Sequence, residues 1–292
     1  MIAPTEQRIE LAHLTLAAQI WGEETSPPLL ALHGWLDNAA SFALLAPLLA
    51  RRFRVIALDL PGHGHSEHLA PGTSYHYLDY VRVVLDAADA LQLDRYTLLG
   101  HSMGAGIAAL VAAAVPQRIE RLRLIEGLGP LGDNGGGDDG TQTLKRFREA
   151  LAPRAVSAKP LRVFRTIELA VSARVMASGL AADLARPLVT RSLIETAGGW
   201  QWRSDPRLTQ TSAVRSAESQ IHAMLRGIEA PTALLLAEPA MPYLPSASMQ
   251  ARADCVPKIA VSHLDGGHHL HLEKPDAVAA WVEADVRPLP MR

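Results

Sequence analysis

YTLLGHSMGAGIAALVAAAV, residues 96–115, joins two kinds of apolar pattern through one tight turn. Its first residues form a short apolar run that ends at Gly100, the mark of a strand buried on both faces. From Ala105 to Val115 the chain is apolar and small throughout, as a buried helix requires, and Pro116 ends it. Between them lies Gly100-His101-Ser102-Met103-Gly104, a G-x-S-x-G string. The string alone arises readily by composition and can be a Gly-rich turn with an idle serine; between a strand and a helix it reads as a nucleophile elbow. Its glycines permit a turn that side chains would block, so the Ser102 oxygen is expected to stand exposed above the sheet. The helix start beside it favours negative charge.

Moving outward, PPLLALHG (27–34), FRVIALDLPG (53–62), RLRLIEGLG (121–129) and PTALLLAE (231–238) are further short apolar runs closed by Gly, Pro or a polar residue. Ile9 to Trp21 instead alternates loosely between polar and apolar residues, which predicts antiparallel strands at a sheet edge. Helical spacing is visible over Ala39–Ala50, Tyr77–Leu91 and Ala105–Val115. Alternating strands and helices imply an α/β fold with a mostly parallel, doubly wound sheet and right-handed crossovers. Active sites in such sheets lie beyond the carboxyl ends of the strands. The rhythm breaks after Glu126. GDNGGGDDG (132–140) is a Gly/Asp-rich loop, and mixed helical sequence follows before the next apolar strand. Residues 132–220 are therefore expected to be a helical cap inserted between two parts of one core, 1–131 and 221–292. KIAVSHLDGGHHLHLEKPDAVAAWV (258–282) reads as strand, loop and terminal helix.

The 292 residues, 48% hydrophobic and 20% charged, supply ample core and exclude a disordered chain. A net charge of −2 without a dominant basic run argues against a general nucleic-acid binder. Cys255 stands alone and cannot form an internal disulfide. MIAPTEQRIE has neither the basic nor the apolar segment of a secretory leader, and the longest apolar run, Ala105–Val115, is too short to span a bilayer. These features predict a cytoplasmic protein with a small-molecule substrate and neither nucleic-acid nor membrane partners; oligomeric state stays open. Residues 141–215 carry thirteen Lys/Arg against five Asp/Glu, +8 in all. Such a surface can steer an anion, but solvated helix faces balanced by an acidic core explain it more simply.

Acyl transfer at a serine needs a base, an acid to orient that base, and donors for the oxyanion. His33-Gly34-Trp35 ends a strand, so the amides of Trp35 and Met103 are the expected oxyanion donors, with His33, Gly34 and His101 lining a substrate pocket. His268 lies on a late loop after a Gly-Gly pair, where a base can reach a serine encoded far earlier. Its neighbours His269 and His271 are weaker candidates. The HGHSEH and HHLH runs bring several histidines together as a metal site would, but no metal or other cofactor is expected.

HGW at 33–35, DLPGHGHS at 59–66, GHSMG at 100–104 and GGHHLHLEKP at 266–275 together resemble the α/β-hydrolase superfamily. HGWLDNAASF, GHSMGAGIAA and LIEGLGP resemble more narrowly its serine hydrolase-like subgroup. Haloalkane dehalogenases and epoxide hydrolases carry aspartate where this chain has Ser102, which disfavours those chemistries. The resemblance also marks Asp59, Gly62 and Gly64 as a structural turn, with His63 and His65 as loop residues. It implies an aspartate shortly after the strand TALLLAE, and the sequence departs here: Glu238-Pro239-Ala240 follows, with Ala240 about where the acid belongs. Glu126 is favoured in its place, because the subgroup carries an acidic residue there; Glu238 is the alternative, and a Ser-His dyad the third possibility. The expected activity is cleavage of a small or medium carboxylic ester, thioester or lactone through an acyl-enzyme. The same pocket used for a lyase or cofactor-free oxidative reaction, or a non-catalytic ligand-binding protein of this fold, are the rival readings.

Overall fold

The computed structural model describes residues 3–132, 141–152 and 162–285. β1 (Thr5–Glu10) and β2 (Thr15–Trp21) form the expected antiparallel hairpin, and β3 (Pro28–Leu32) follows. Next come α1 (Ala46–Leu49), β4 (Arg54–Leu58), α2 (Tyr77–Ala90), β5 (Tyr96–His101), α3 (Met103–Ala114) and β6 (Ile119–Ile125). The insertion holds α4 (Thr141–Leu151), α5 (Ile167–Ser178), α6 (Ala182–Ser192), β7 (Leu193–Thr196), β8 (Gly199–Trp202) and α7 (Glu218–Leu225). The chain then returns through β9 (Thr232–Glu238), α8 (Ser246–Ala253), β10 (Ile259–Asp265), α9 (Leu270–Glu273) and α10 (Pro275–Glu283).

One eight-stranded sheet runs in the order β1-β2-β4-β3-β5-β6-β9-β10. β2 pairs antiparallel with both neighbours, and every pair from β4 to β10 is parallel. Because side chains alternate across a strand, the apolar runs feed two cores. Leu30, Leu32, Leu98, Leu122 and Leu234 point to the face covered by α2 and α3, whereas Leu29, Ala31, Leu99, Ile125 and Leu235 point to the face carrying Phe42, Leu49 and Val278. A strand apolar at every position is thus one with helices on both sides. No helix among the described residues is long and apolar enough to cross a membrane.

Two expectations change. The helix expected over Ala39–Ala50 is a 3-10 turn, Ala39–Phe42, followed by the short α1. Pro47 has no amide for the carbonyl of Ala43, so one continuous helix cannot run through it. The insertion is not wholly helical, since β7 and β8 form an antiparallel hairpin. On it, Trp200 and Trp202 pack against Phe164 in the insertion's own small core, and Phe164 and Trp200 exchange two 2.8 Å backbone hydrogen bonds. Residues 133–140, most of the expected Gly/Asp loop, lie outside the described residues.

The insertion is tied to the loops that follow β3 and β4. Asn38 Nδ2 donates to Leu188 O and to Ser192 Oγ, both at 2.8 Å, and the Trp35 indole donates to Leu208 O at 3.1 Å. Arg191 of α6 lies between Asp59, 2.9 Å away, and Glu6, 2.7 Å away. Asp59 is fully buried and also accepts from the amides of Ala39 and His65, both at 2.7 Å. Asp59 thus has the structural role expected of it. Arg174 and Arg191 pair with core acids, Asp37 and the pair Glu6 and Asp59, and so meet part of the insertion's excess positive charge, whereas Arg186 and Arg207 pair with Glu168 and Asp205 within it.

Candidate active site

Ser102 occupies the turn between β5 and α3 with φ 53 and ψ −114, a conformation that L residues rarely adopt. Its amide is held by Ile125 O at 2.9 Å. The elbow can be this tight because of its glycines: a Cβ on Gly104 would lie 2.1 Å from Leu32 O, and one on Gly100 would lie 2.4 Å from Gly104 O. Tyr77 braces the turn by donating its hydroxyl to Met103 O at 2.6 Å. Ser102 is partly accessible, and among the described residues no hydrogen bond engages its hydroxyl.

His268 lies on the loop between β10 and α9. Its Nδ1 is 3.0 Å from Glu126 Oε2, and Glu126 Oε1 accepts from the Ala237 amide at 2.5 Å. Glu126 is 2% exposed and follows β6 directly, with φ 55, so the chain turns sharply there and aims the carboxylate across the end of β9. A carboxylate on Nδ1 assigns the proton to that nitrogen and leaves the Nε2 lone pair for proton transfer. Glu238 has no such contact; its side chain is exposed at the end of β9. Tyr243, half exposed, meets the His268 ring edge-on at 5.3 Å.

Met103 is the first residue of α3, so its amide has no acceptor within the helix. Across the groove the turn at the end of β3 closes with Asp37 N donating to Gly34 O at 3.1 Å, which leaves the Trp35 amide out of the turn's own bonding. The Trp35 side chain is about half exposed. The two amides expected at an oxyanion are thus on the elbow and on the facing loop.

His33 and His101 need correction as pocket-lining residues, because both rings are buried. His33 donates from Nδ1 to Gly34 O at 2.7 Å and accepts at Nε2 from the Leu60 amide at 3.0 Å. Burial pushes its imidazole down to about 4, so it stays neutral. His101 donates from Nε2 to His268 O at 2.9 Å. At the end of a strand buried on both faces, a polar ring points into the protein and serves the backbone. Gly34 also packs inward, since a Cβ there would come within 2.9 Å of His101 Nδ1.

A further group, whose members the sequence does not bring together, centres on Asp37. Asp37, 3% exposed, pairs with Arg174 of α5, and its Oδ2 lies 3.4 Å from His269 Nε2 and 3.7 Å from His101 Nδ1. Burial opposes its charge, yet His269, Arg174 and His101 hold the carboxyl well below the usual carboxylate range. His271 is buried against Ser41, 2.7 Å from its Oγ, and burial pushes its ring down to about 3. Only folding brings these residues, far apart in the chain, together. A groove lined by Leu236, Ser246, Met249, Val261 and His263 contains none of the groups described above.

A family model for the alpha/beta hydrolase fold matches residues 27–275. A serine hydrolase-like protein of Dictyostelium discoideum is 31% identical over 90% of this chain and 76% of its own length. The crystal structure of a hypothetical protein from Pseudomonas aeruginosa PAO1 superposes with a TM-score of 0.85 at 42% identity, covering 97% of this chain and 96% of that one. A thioesterase domain from the curacin biosynthetic pathway gives 0.81 at 26% identity, covering 97% and 100%.

Proposed function

The chain belongs to the α/β-hydrolase family, within its serine hydrolase-like subgroup, and from that premise we propose that it is a serine hydrolase cleaving a small or medium carboxylic ester, thioester or lactone. The observation that carries this reading is the 3.0 Å contact between Glu126 Oε2 and His268 Nδ1. An elbow alone can hold an idle serine; a buried carboxylate aimed at the far nitrogen of the histidine is what general-base catalysis requires. The likeness to a thioesterase domain keeps thioesters within the substrate class.

In this mechanism Ser102 Oγ attacks the substrate carbonyl while His268 Nε2 takes its proton, and Glu126 stabilises the imidazolium that forms. The amides of Trp35 and Met103 receive the oxyanion. Collapse of the tetrahedral intermediate expels the alcohol or thiol, protonated by His268. A water molecule, deprotonated by the same ring, then releases the acid and restores Ser102. The insertion acts as the cap: Leu208, bonded to Trp35, borders the mouth from that side, and the half-exposed Tyr243, on the core segment after β9, borders it from the other. Substrate entry between cap and sheet, from the cytoplasm, completes the proposal.

The test is mass-spectrometric labelling with a fluorophosphonate, alongside hydrolysis of p-nitrophenyl esters. Labelling at Ser102 is expected, with turnover falling by about four orders of magnitude or more in Ser102→Ala. An unlabelled wild type, or near-normal esterase activity in Ser102→Ala, would overturn the mechanism and favour a ligand-binding role.

A further inference from the structure

Beneath the proposed catalytic pair, three ring or carboxylate atoms from distant segments face one another: Asp37 Oδ2 after β3, His101 Nδ1 at the end of β5 and His269 Nε2 before α9. All three residues are buried, and the three atoms lie within 4.8 Å of one another. His101 supplies the decisive detail. Its Nε2 proton is committed to His268 O, so in the neutral ring Nδ1 carries a lone pair, and that lone pair faces the Asp37 carboxylate across 3.7 Å. His101 Nδ1 is buried without a hydrogen-bond partner. Two acceptors held face to face out of water need a donor or a cation between them. A metal ion bound by both atoms, with His269 Nε2 as a third ligand, meets that need with groups already in place.

We infer that Asp37, His101 and His269 form a binding site for a borderline divalent cation of the zinc type, held by one carboxylate oxygen and two imidazole nitrogens. Two of the three edges fit. Zinc bonds of about 2.0–2.1 Å in a tetrahedron put neighbouring donors roughly 3.4 Å apart; the distances from Asp37 Oδ2 are 3.4 Å to His269 and 3.7 Å to His101, and the two imidazole nitrogens, within 4.8 Å of each other, close on the ion by small ring rotations. The surroundings fit as well. A ligating histidine normally donates its other ring N–H to a carbonyl, and a ligating carboxylate is itself hydrogen-bonded. His101 donates to His268 O, and Arg174 engages the other oxygen of Asp37. Two imidazoles and a carboxylate select zinc and its transition-metal neighbours over magnesium or calcium, which prefer all-oxygen sites. The absence of a metal expected from HGHSEH and HHLH considered each run by itself; this cluster takes one residue from HHLH and two from elsewhere.

The inference is independent of acyl transfer, because its readout is metal and not turnover. Intact protein stripped with a chelator and desalted is titrated with zinc sulfate and followed by calorimetry and elemental analysis. Crystals soaked in zinc give the position by anomalous scattering at the zinc edge. One equivalent is expected, with its anomalous peak among the three atoms, a melting temperature raised by several degrees and affinity lowered at least tenfold in His269→Gln and Asp37→Asn. His263→Gln, which alters an exposed histidine on β10, is expected to bind like the wild type. No bound equivalent, an anomalous peak elsewhere, or a His101 ring shown by nitrogen NMR to be protonated on both nitrogens at neutral pH would overturn the site. The wild-type crystal keeps the test decisive even if a variant misfolds.

Discussion

Glu126 and Ser102 both have a positive φ, 55 and 53, which costs a non-glycine residue roughly 1–3 kcal/mol. Each is held there by a strand amide bonded to a neighbouring strand, Glu126 N to Leu235 O and Ser102 N to Ile125 O, both at 2.9 Å. This placement predicts a large effect from one atom. In Glu126→Gln the amide oxygen goes to the Ala237 N–H, now 2.5 Å from Oε1, which turns the NH2 group toward His268 Nδ1. The ring then flips its tautomer, puts its proton on Nε2 and ceases to be a base. kcat/KM for an activated ester is expected to fall by about two to four orders of magnitude, with far-ultraviolet circular dichroism unchanged; Glu238→Gln is expected to stay within about twofold of the wild type. Equal losses in the two variants would remove Glu126 from its role. The sequence alone left these two acids open because it gives no direction to a side chain at the end of a strand; resemblance favoured Glu126, and the direction came from the turn after β6. Asp37 and His269 were illegible for the same reason: their partners are set by tertiary contact.

At the scale of elements, the elbow binds strand and helix so closely that glycine is obligatory. Gly104→Ala would drive a methyl to 2.1 Å from Leu32 O, a backbone atom of the central sheet that cannot step aside. Overpacking of that kind costs roughly 2–3 kcal/mol, so thermal unfolding is expected to drop by about 5 °C or more; an unchanged midpoint would mean that α3 is free to move off the sheet. A second prediction concerns the joint between α6 and the core. Arg191→Met leaves the fully buried Asp59 without its cation and is expected to cost about 3 kcal/mol in urea unfolding. Adding Asp59→Asn removes the stranded charge, so the double variant is expected to be less destabilised than the sum of the two single ones. Strict additivity would show that the pair does not couple cap to core. The elements that carry this geometry were readable where burial is two-sided, since β3, β4, β5 and β9 are largely apolar runs, and β6 shows the same signal in Leu122, Leu124 and Ile125 despite Arg121 and Arg123 between them. They were misread where one residue broke a pattern, as Pro47 does between Ala39 and Ala50. The hairpin β7–β8 was missed because its burial is against its own insertion, through Trp200, Trp202 and Phe164, and gives no sheet-long apolar signature.

Across the molecule, burial keeps several histidines neutral. Burial pushes His33 down to about 4, and His63 and His271 down to about 3, while the ordinary value in an unfolded chain is near 6.5. Between pH 6 and 4 the native rings therefore stay largely neutral, whereas the same rings in the unfolded chain take up protons. The state that binds more protons gains as pH falls, so stability drops on acidification through this window and is retained above it. Each such ring contributes a slope approaching about 1.4 kcal/mol per pH unit. Asp37 acts at lower pH: its depressed carboxyl stabilises the fold above the unfolded value near 3.8, and that contribution disappears as pH falls through the native one. Urea unfolding followed from pH 7 to pH 4.5 is expected to show a continuous loss of stability that begins near pH 6.5, before any carboxylate in the unfolded chain titrates. His63→Gln can keep a donor for Pro61 O, which His63 Nδ1 approaches at 3.0 Å, while removing one of these rings. It is expected to flatten the slope by about one proton's worth. A stability that stays level from pH 7 to pH 5 would show that these rings take up protons in the native protein as they do in the unfolded chain, and with that the account of His33 and His63 as neutral backbone anchors would fall.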